Sequence, residues 1–338
     1  MTKNILVTGG AGYIGSHTVV ELIQHGFNPI VLDNFSNSRP SVIDSLEEIT
    51  QQKIISVTGD CRDAAVYDLI FSKYKIDAVI HFAADKAVGE SVQNPLKYFD
   101  NNLNGLMVLL AAMERHDVKH LVFSSSCTVY GNPDNVYVDE NSPLKSPESP
   151  YGFTKLVGEQ MLDNMVRHGK KMRVVLLRYF NPIGAHPSAL IGERPQGIPN
   201  NLLPYITQTA LGIRAELSVF GNDYDTIDGT CVRDYIHVCD VADAHVSALT
   251  LLSASPDSCI EAINIGTGKG TSVLEIIRIF ERETGVSLNW KFAPRREGDV
   301  PEIYAKADKA LHTLNWKATY SVSDAVKHAW EWEKKTQN

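Results

Sequence analysis

The 338-residue chain has only five cysteines, at positions 61, 127, 231, 239 and 259. Their number is odd and no Cys-x-x-Cys occurs, so neither a disulfide framework nor a thiolate metal site is expected. They fit reduced thiols, buried as small apolar side chains in a cytoplasmic protein. No apolar run approaches the roughly 18 residues of a membrane-crossing helix, which argues against a membrane protein. Thr2-Lys3-Asn4 leads directly into an apolar strand pattern and does not read as a secretion signal. No Lys/Arg run exceeds two residues and the net charge is -8, so no nucleic-acid partner is expected. Internal repeats, low-complexity stretches and flexible linkers are also missing. What remains is a soluble globular composition, 43% hydrophobic and 21% charged, long enough for one large or two unequal domains.

The clearest positive signal is at the start of the chain. Asn4-Ile5-Leu6-Val7-Thr8 reads as a short buried strand, followed at once by Gly9-Gly10-Ala11-Gly12-Tyr13-Ile14-Gly15. A helical stripe of Val19, Val20, Leu22 and Ile23 follows, then a second strand, Pro29-Ile30-Val31-Leu32, ending at Asp33. A lone glycine motif is weak. Strand, glycine turn, helix, strand and terminal acid in that order indicate a dinucleotide site. Gly9, Gly12 and Gly15 let backbone approach a pyrophosphate, whose charge meets the free amides at the helix start. The Asp33 carboxylate can accept two ribose hydrogen bonds and would repel a 2′-phosphate, so the cofactor expected is NAD, not NADP.

The alternation continues through strands at 54–58, 78–84, 121–123 and 173–179, with helices between. Near-continuous hydrophobic strands separated by helices mean a parallel sheet covered on both faces. Residues 181–233 are rich in Pro, Gly and Asn and read as an irregular lid beside the sheet. Asp234-Tyr235-Ile236-His237-Val238 and Glu261-Ala262-Ile263-Asn264-Ile265 read as strands flanking a helix, rejoining the sheet. Gly266 to Thr271 resembles a phosphate loop but lacks its Gly-Lys-Ser/Thr order, and so is read as a turn before a helix at 272–284. Trp330 and Trp332 close a terminal helix as packing aromatics. The fold expected is α/β: a Rossmann-type doubly wound parallel sheet with a smaller, irregular C-terminal substrate domain.

Chemistry is expected where the strand Leu121-Val122-Phe123 runs into Ser124-Ser125-Ser126 and Tyr151 is followed by Lys155. On a helix, four residues stack both side chains on one face, about one turn apart. A tyrosine with a reference pKa near 10 is a poor base at pH 7, and a nearby ammonium favours the phenolate. A strand-end hydroxyl can share a hydrogen bond with a substrate alcohol and the tyrosine. Taken alone, Tyr-x-x-x-Lys is close to a chance occurrence; its weight comes from this context.

The segments Thr8 to Gly15, His81-Phe82-Ala83-Ala84, Ser124-Ser125-Ser126 and Tyr151-x-x-x-Lys155 together resemble the extended short-chain dehydrogenase/reductases. Asp33-Asn34-Phe35-Ser36-Asn37, Lys86 to Ser91, Arg178-Tyr179-Phe180-Asn181-Pro182, Gly197 to Leu202, Val232-Arg233-Asp234-Tyr235 and Ala293 to Asp299 are similar to the UDP-glucose 4-epimerase family in particular. The likeness runs almost end to end. It implies tightly bound NAD, UDP-galactose and UDP-glucose as substrates, and a homodimer. Tyr151 would take the proton from the sugar O4 while C4 gives up hydride, and the 4-keto sugar would turn over before hydride returns. Ser126 would assist the proton path, and Lys155 would bind the nicotinamide ribose and lower the tyrosine pKa.

By matching position, Tyr13, Ile14, Asp33, Asn34, Phe35, Ser36, Asn37, Ser38, Asp60, Cys61, Phe82, Ala83, Lys86, Asn101 and Phe180 would line the cofactor with the glycine turn. Asn181, Asn201, Ser218, Phe220, Arg233, Arg296, Asp299 and Ile303 would hold UDP and the sugar, with Ser126 and Tyr151. Two arginines suit a diphosphate unaided, because they are fork-shaped and permanently charged; either one alone would read as a surface ion pair. On this reading, residues 1–180 with roughly 234–267 bind NAD, and 181–233 with 268–338 bind the UDP-sugar. No metal is implied.

Three departures from the pattern stand out. Asp85 replaces a small or apolar residue, Cys127 replaces a common alanine, and Ile303 replaces either a tyrosine or a small residue. The nearest alternative is a 4,6-dehydratase, which needs an Asp-Glu pair where this chain has Cys127-Thr128. A nucleotide-sugar decarboxylase fits the UDP-binding segments less well. A non-catalytic NAD-binding sensor would be expected to lose Tyr151 or Lys155.

Overall fold

Seven parallel strands carry the molecule: β1 (Asn4–Thr8), β2 (Asn28–Asp33), β3 (Ile55–Thr58), β4 (Ile76–His81), β5 (His120–Ser124), β6 (Arg173–Tyr179) and β7 (Cys259–Ile265). The computed structural model describes residues 2–255, 258–296 and 299–336. The strand order is β7-β6-β5-β4-β1-β2-β3. The chain steps outward from β1 to β3, then crosses back to β4, so the order reverses between β1 and β4. Ligand crevices form at such a switch point, outside the carboxyl ends of the strands.

The pairing register brings those ends level. Thr8 lies opposite Leu32 on one side and His81 on the other, His81 opposite Phe123, and Ser124 opposite Leu177. The glycine turn, Asp33, Phe82-Ala83, the serine cluster and Phe180 therefore leave the sheet at one edge.

Both faces are covered, which is why the strands are hydrophobic throughout. The helices Tyr13–Gln24 and Val238–Ala254 pack Val19, Leu22, Val241 and Leu249 on one side. Ala64–Lys73, Gly105–Arg115 and Pro150–Arg167 pack Tyr67, Ile70, Leu106, Leu109 and Leu162 on the other. Full burial of such side chains contributes about 1.5–3 kcal/mol each.

The remainder departs from expectation in two places. Only the later of the two strands thought to rejoin the sheet does so, as β7. Tyr235–His237 instead pairs with Asn181–Ile183, the short strand that follows β6, in a separate two-stranded ladder. Residues 181–233 are also less irregular than their Pro and Gly content suggests. They contain the helix Leu202–Ala210, whose Leu203 and Ile206 join Phe280, Ala325 and Val326 in a second core.

Helix Val273–Thr284 starts at a reciprocal cap between Ser272 and Glu275 and ends at Gly285 in the left-handed conformation. Trp330 meets Phe280 edge-on at 5.5 Å, and the Trp332 indole donates to the Glu193 carbonyl at 3.0 Å. Ala310, Leu314 and Trp316 pack with the core of the large sheet.

The segment that resembles a phosphate loop is a turn, and it is occupied from within. The buried Asp234 carboxylate accepts hydrogen bonds from the backbone amides of Thr267 and Gly268, from the Thr267 hydroxyl, and from the amide of Ala305.

Candidate active site

The helix Pro150–Arg167 delivers the two central side chains. Proline occupies its first turn, and the Ser149 hydroxyl caps it by accepting from the Gly152 amide at 3.2 Å. Tyr151 and Lys155 are both buried, one turn apart, against the end of β5. The Lys155 ammonium donates to the Ser124 carbonyl at 2.7 Å and lies 5.2 Å from the centre of the Phe123 ring.

The three serines separate in role. Ser124 shares a hydrogen bond with the Tyr179 hydroxyl at 2.7 Å, and Ser125 donates to Glu159 at 2.5 Å. Ser126 caps the short helical turn Cys127–Tyr130 and stands beside Tyr151.

The buried surroundings of Tyr151 oppose its ionisation. Burial drives its pKa well above the usual tyrosine range, with Tyr179 adding to the rise, while the Ser126 hydroxyl pulls the other way. Lys155 is itself lowered to about 8 by burial, opposed by the charge of Glu159. Its hydrogen-bonding is directed at Ser124.

On the cofactor side, Gly9 has φ +69, and a β-carbon there would come within 2.8 Å of the Ala83 amide nitrogen. Gly15 packs so closely that a side chain would strike the Gly9 carbonyl. The helix Tyr13–Gln24 has no acid in its first turn and, unlike the helices capped by Asp63, Ser149 and Ser272, no side-chain cap at its start, Gly12. Its leading amides and positive dipole end are thus left for an anion, which fits a dinucleotide pyrophosphate.

Asp33 is fixed for recognition rather than left loose. It accepts from the Ala11 amide at 3.0 Å, and from the Phe35 amide and Ser38 hydroxyl at 2.9 Å each. Asn34, Ser36 and Asn37 are exposed on the loop beyond it, with Asn34 donating to Asp60 at 3.2 Å. Asp60 is paired with Arg62, which pulls its carboxyl well below the ordinary range. Cys61 is buried, its thiol pushed up to about 12 and its sulfur 3.9 Å from the Asn101 carbonyl. Phe82 packs on His245 at 4.6 Å, and Ile14 lies against the same core.

Tyr13 donates to the Gly184 carbonyl at 2.8 Å, and the Lys86 ammonium stands 5.5 Å from the centre of its ring. Lys86 and Asn201 both donate to one Glu193 oxygen, at 2.7 and 2.6 Å. Glu193 therefore joins an expected cofactor residue to an expected substrate residue.

The substrate side converges as well. Asp299 lies 3.8 Å from Arg233 and 4.0 Å from Arg296, and the Arg296 guanidinium sits 4.8 Å from the centre of the Phe220 ring. Ser218 shares the strand Leu217–Phe220, paired with Trp290–Ala293. Glu297 and Gly298, part of the motif that carries Arg296, lie outside the described residues. Ile303 is opposite Arg233 in register and is buried with Phe180, Leu156 and Tyr130.

Among the departures, Asp85 is 3.6 Å from Lys97, its carboxyl is raised by burial, and Asn102 holds its backbone at both the amide and the carbonyl. Cys127 is pushed up to about 12 by burial, which makes it a poor nucleophile.

Sequence reasoning missed Asn102, Glu159 and Glu193. Asn102 also donates to Thr154 at 3.0 Å, tying the loop after β4 to the tyrosine helix. Glu159 could have been found, because it continues the four-residue spacing from Lys155. Nothing in the local pattern marks the other two.

A sheet of this order, with a glycine turn after β1 and a Tyr/Lys helix against β5, defines a dinucleotide-dependent short-chain dehydrogenase/reductase scaffold. The model of the GDP-mannose 4,6 dehydratase family matches residues 6–329. A UDP-glucose 4-epimerase of Yersinia pestis is 49% identical over 98% of this chain and 97% of its own length. The crystal structure of a UDP-glucose 4-epimerase from Stenotrophomonas maltophila, with bound NAD and formylated UDP-arabinopyranose, superposes with a TM-score of 0.96 at 48% identity, covering 99% of each chain. That of Bifidobacterium longum, in complex with NAD+ and UDP, gives 0.95 at 45% identity, again over 99% of each chain. The chain belongs to the UDP-glucose 4-epimerases of the extended short-chain dehydrogenase/reductase family.

Proposed function

We propose that this chain interconverts UDP-galactose and UDP-glucose through a transient 4-keto sugar, using NAD that stays bound through turnover. The observation that carries the reading is the convergence of Tyr151, Lys155 and Ser126 at one sheet edge with the uncapped helix start at Gly12. The paired Arg233 and Arg296 supply the diphosphate site. The full-length likeness to proteins named UDP-glucose 4-epimerase supports it.

When bound, NAD would supply the redox chemistry at the sugar C4, as hydride acceptor and then donor, and its oxidised form would add a positive charge. The chain's own groups do the rest. The first-turn amides of Tyr13–Gln24 receive the pyrophosphate, and Asp33 receives the adenosine ribose. Phe35, Ser36, Asn37, Ser38, Asp60, Cys61, Phe82, Ala83, Lys86, Asn101 and Phe180 complete that site. Tyr151 removes and returns the O4 proton, with Ser126 sharing the hydrogen bond. Burial opposes ionisation of Tyr151, so positive charge nearby favours base action, and Lys155 is the side chain one turn away that can supply it. Asn181, Asn201, Ser218, Phe220, Arg233, Arg296, Asp299 and Ile303 hold the UDP-sugar.

The unit that binds NAD comprises 1–180 with 234–267, and the sugar unit 181–233 with 268–338. The stretch from Ala310 to Trp316 packs on the former. A homodimer is supported by apolar side chains left exposed on adjacent helices, with Val92 at 61%, Leu96 at 77% and Phe153 at 44% exposure.

The test needs no substitution. Protein purified without added cofactor should release NAD on denaturation, and the native sample should convert UDP-galactose to UDP-glucose without net NADH. Stoichiometric NADH formation from UDP-glucose would make it a dehydrogenase and overturn the reading.

A further inference from the structure

Tyr151, Lys155 and Glu159 follow one another at intervals of four along one helix, and all three are buried, at 8%, 4% and 3% exposure. Glu159 is not merely covered. Arg178 of β6 grips it with Nη2 at 2.6 Å from one oxygen and Nε at 2.9 Å from the other, and Ser125 donates to it at 2.5 Å. Arg178 also donates to the Tyr130 hydroxyl at 3.1 Å, which in turn donates to Asn264 at 2.7 Å.

These contacts close a ring around the tyrosine helix. Lys155 bonds the Ser124 carbonyl, the Ser124 hydroxyl bonds Tyr179, Tyr179 follows Arg178 in β6, and Arg178 bonds Glu159 on the helix that carries Lys155. A buried ion pair generally contributes less to stability than apolar residues of the same shape would, so stability is a poor account of its presence.

We propose that Glu159 is a positioning residue for the epimerase reaction, the buried counter-charge that holds the Lys155 ammonium charged and directed at the Ser124 carbonyl. The inference rests on the function proposed above. The surroundings of Lys155 leave this role to Glu159. On its own helix the neighbours are Tyr151 and Glu159. From β4 His81 faces it, and from the helix Val238–Ala254 His245 does; burial lowers them to about 3 and about 4, so both are neutral. From β5 and β6 come the Phe123 ring, the Ser124 carbonyl, Tyr179 and Arg178, the last already paired with Glu159. Burial has brought Lys155 to about 8, and Glu159 is the charge opposing a further fall.

The experiment is the pH profile of kcat and KM for UDP-galactose in three variants: Glu159→Gln, Glu159→Gln with Arg178→Met, and Glu159→Asp. The double variant removes the Arg178 charge along with that of Glu159, so only Lys155 is left without its counter-charge, and it decides between the outcomes if Glu159→Gln alone fails to fold. Folding is checked by circular dichroism and cofactor retention by the NAD released on denaturation. The alkaline limb of kcat should move down by about one pH unit, with kcat at pH 8 reduced about fivefold. KM should stay within about twofold, and Glu159→Asp should restore the native limb. A folded, NAD-containing Gln variant whose profile superposes on the native one would overturn the proposal and assign the ion pair to packing alone. Absence of epimerisation by the unmodified protein would instead sink the reading of function on which the proposal rests.

Discussion

Around Tyr151 charge is buried and fully partnered, whereas around Arg233 and Arg296 it is loosely paired and, at Arg296, open to solvent. The Glu159–Arg178 pair is held by three contacts of 2.9 Å or less, at exposures of 4% and 6%. Asp299 meets its two arginines only at 3.8 and 4.0 Å, and the Arg296 side chain is 56% exposed. Part of the Arg233 fork is committed to the Val232 carbonyl at 2.9 Å. The difference follows the work each region does. A proton-transfer site gains from donors and acceptors fixed in advance, in a medium of low dielectric. A diphosphate arrives with its own charge, so the residues that receive it are best left solvated and weakly engaged until it comes.

The largest expected effect would break the buried side. Tyr151→Phe should lower kcat at least about a hundredfold while leaving NAD content and circular dichroism unchanged, the scale of a lost general base. Ser126→Ala should cost less, because water can replace a hydroxyl. Near-normal turnover of Tyr151→Phe would remove this residue from the chemistry.

Next comes the loosely paired side. Arg233→Ala should raise KM for UDP-galactose about ten- to a hundredfold with little change in kcat, since a charge-assisted bond contributes about 1.5–3 kcal/mol. Equal losses in kcat would mean that the arginine acts in the chemical step, and the contrast between the two regions would fail.

Between the regions stands Ile303, buried beside Phe180 and branched at Cβ, so it cannot swing aside freely. UDP-galactose and UDP-glucose should be the main substrates, with slow turnover of UDP-N-acetylgalactosamine. Overpacking a tight site costs about 1–3 kcal/mol, so Ile303→Tyr should remove the acetylated activity, about tenfold or more, and spare the plain one. Ile303→Gly should raise the acetylated activity. Identical kcat/KM values for both sugars in all three proteins would show that Ile303 is not the gate.

The gentlest test changes only pH. Burial lowers His17, His81 and His237 to about 3 and His245 to about 4, below the ordinary value of 6.5. The unfolded chain binds these protons first, so the stability they confer is present above pH 6.5 and is lost as pH falls toward 3. Each contributes a slope of about 1.4 kcal/mol per pH unit in that window. Glu21, raised to about 7 by burial, works in the opposite sense as pH rises, as do Asp85, Asp234, Asp240 and Asp243, whose carboxyls burial also raises. His120, His186 and His328, also lowered by burial, act with the first four. Tm should therefore fall between pH 7 and pH 5. A flat Tm across that range would contradict the burial of these rings.

The comparison also separates what the sequence reveals from what it hides. The sheet was legible because each strand is an apolar run ended by a small or polar residue, as at Thr8-Gly9 and Phe123-Ser124. Tyr151, Lys155 and the glycine turn were legible because their spacing is local. The pairing of Tyr235–His237 with Asn181–Ile183 was not, since a short apolar run looks the same in either sheet. Nor was Glu193 legible. Its role depends on Lys86 and Asn201, the first of them far off in the chain, and no local pattern records a meeting of that kind. The burial of Tyr151 escaped for another reason: sequence shows the neighbouring lysine, but not how completely the site is covered.

The buried carboxylate at Asp234 has one more consequence. In filling the amides of Thr267 and Gly268, it serves as the chain's own stand-in for a phosphate group, installed permanently beside Arg233. A stray phosphate or a misdocked nucleotide meets a loop already satisfied and, by its charge, repellent. The step from Arg233 to Asp234 thus sets a loosely paired guanidinium beside a loop whose amides are already taken.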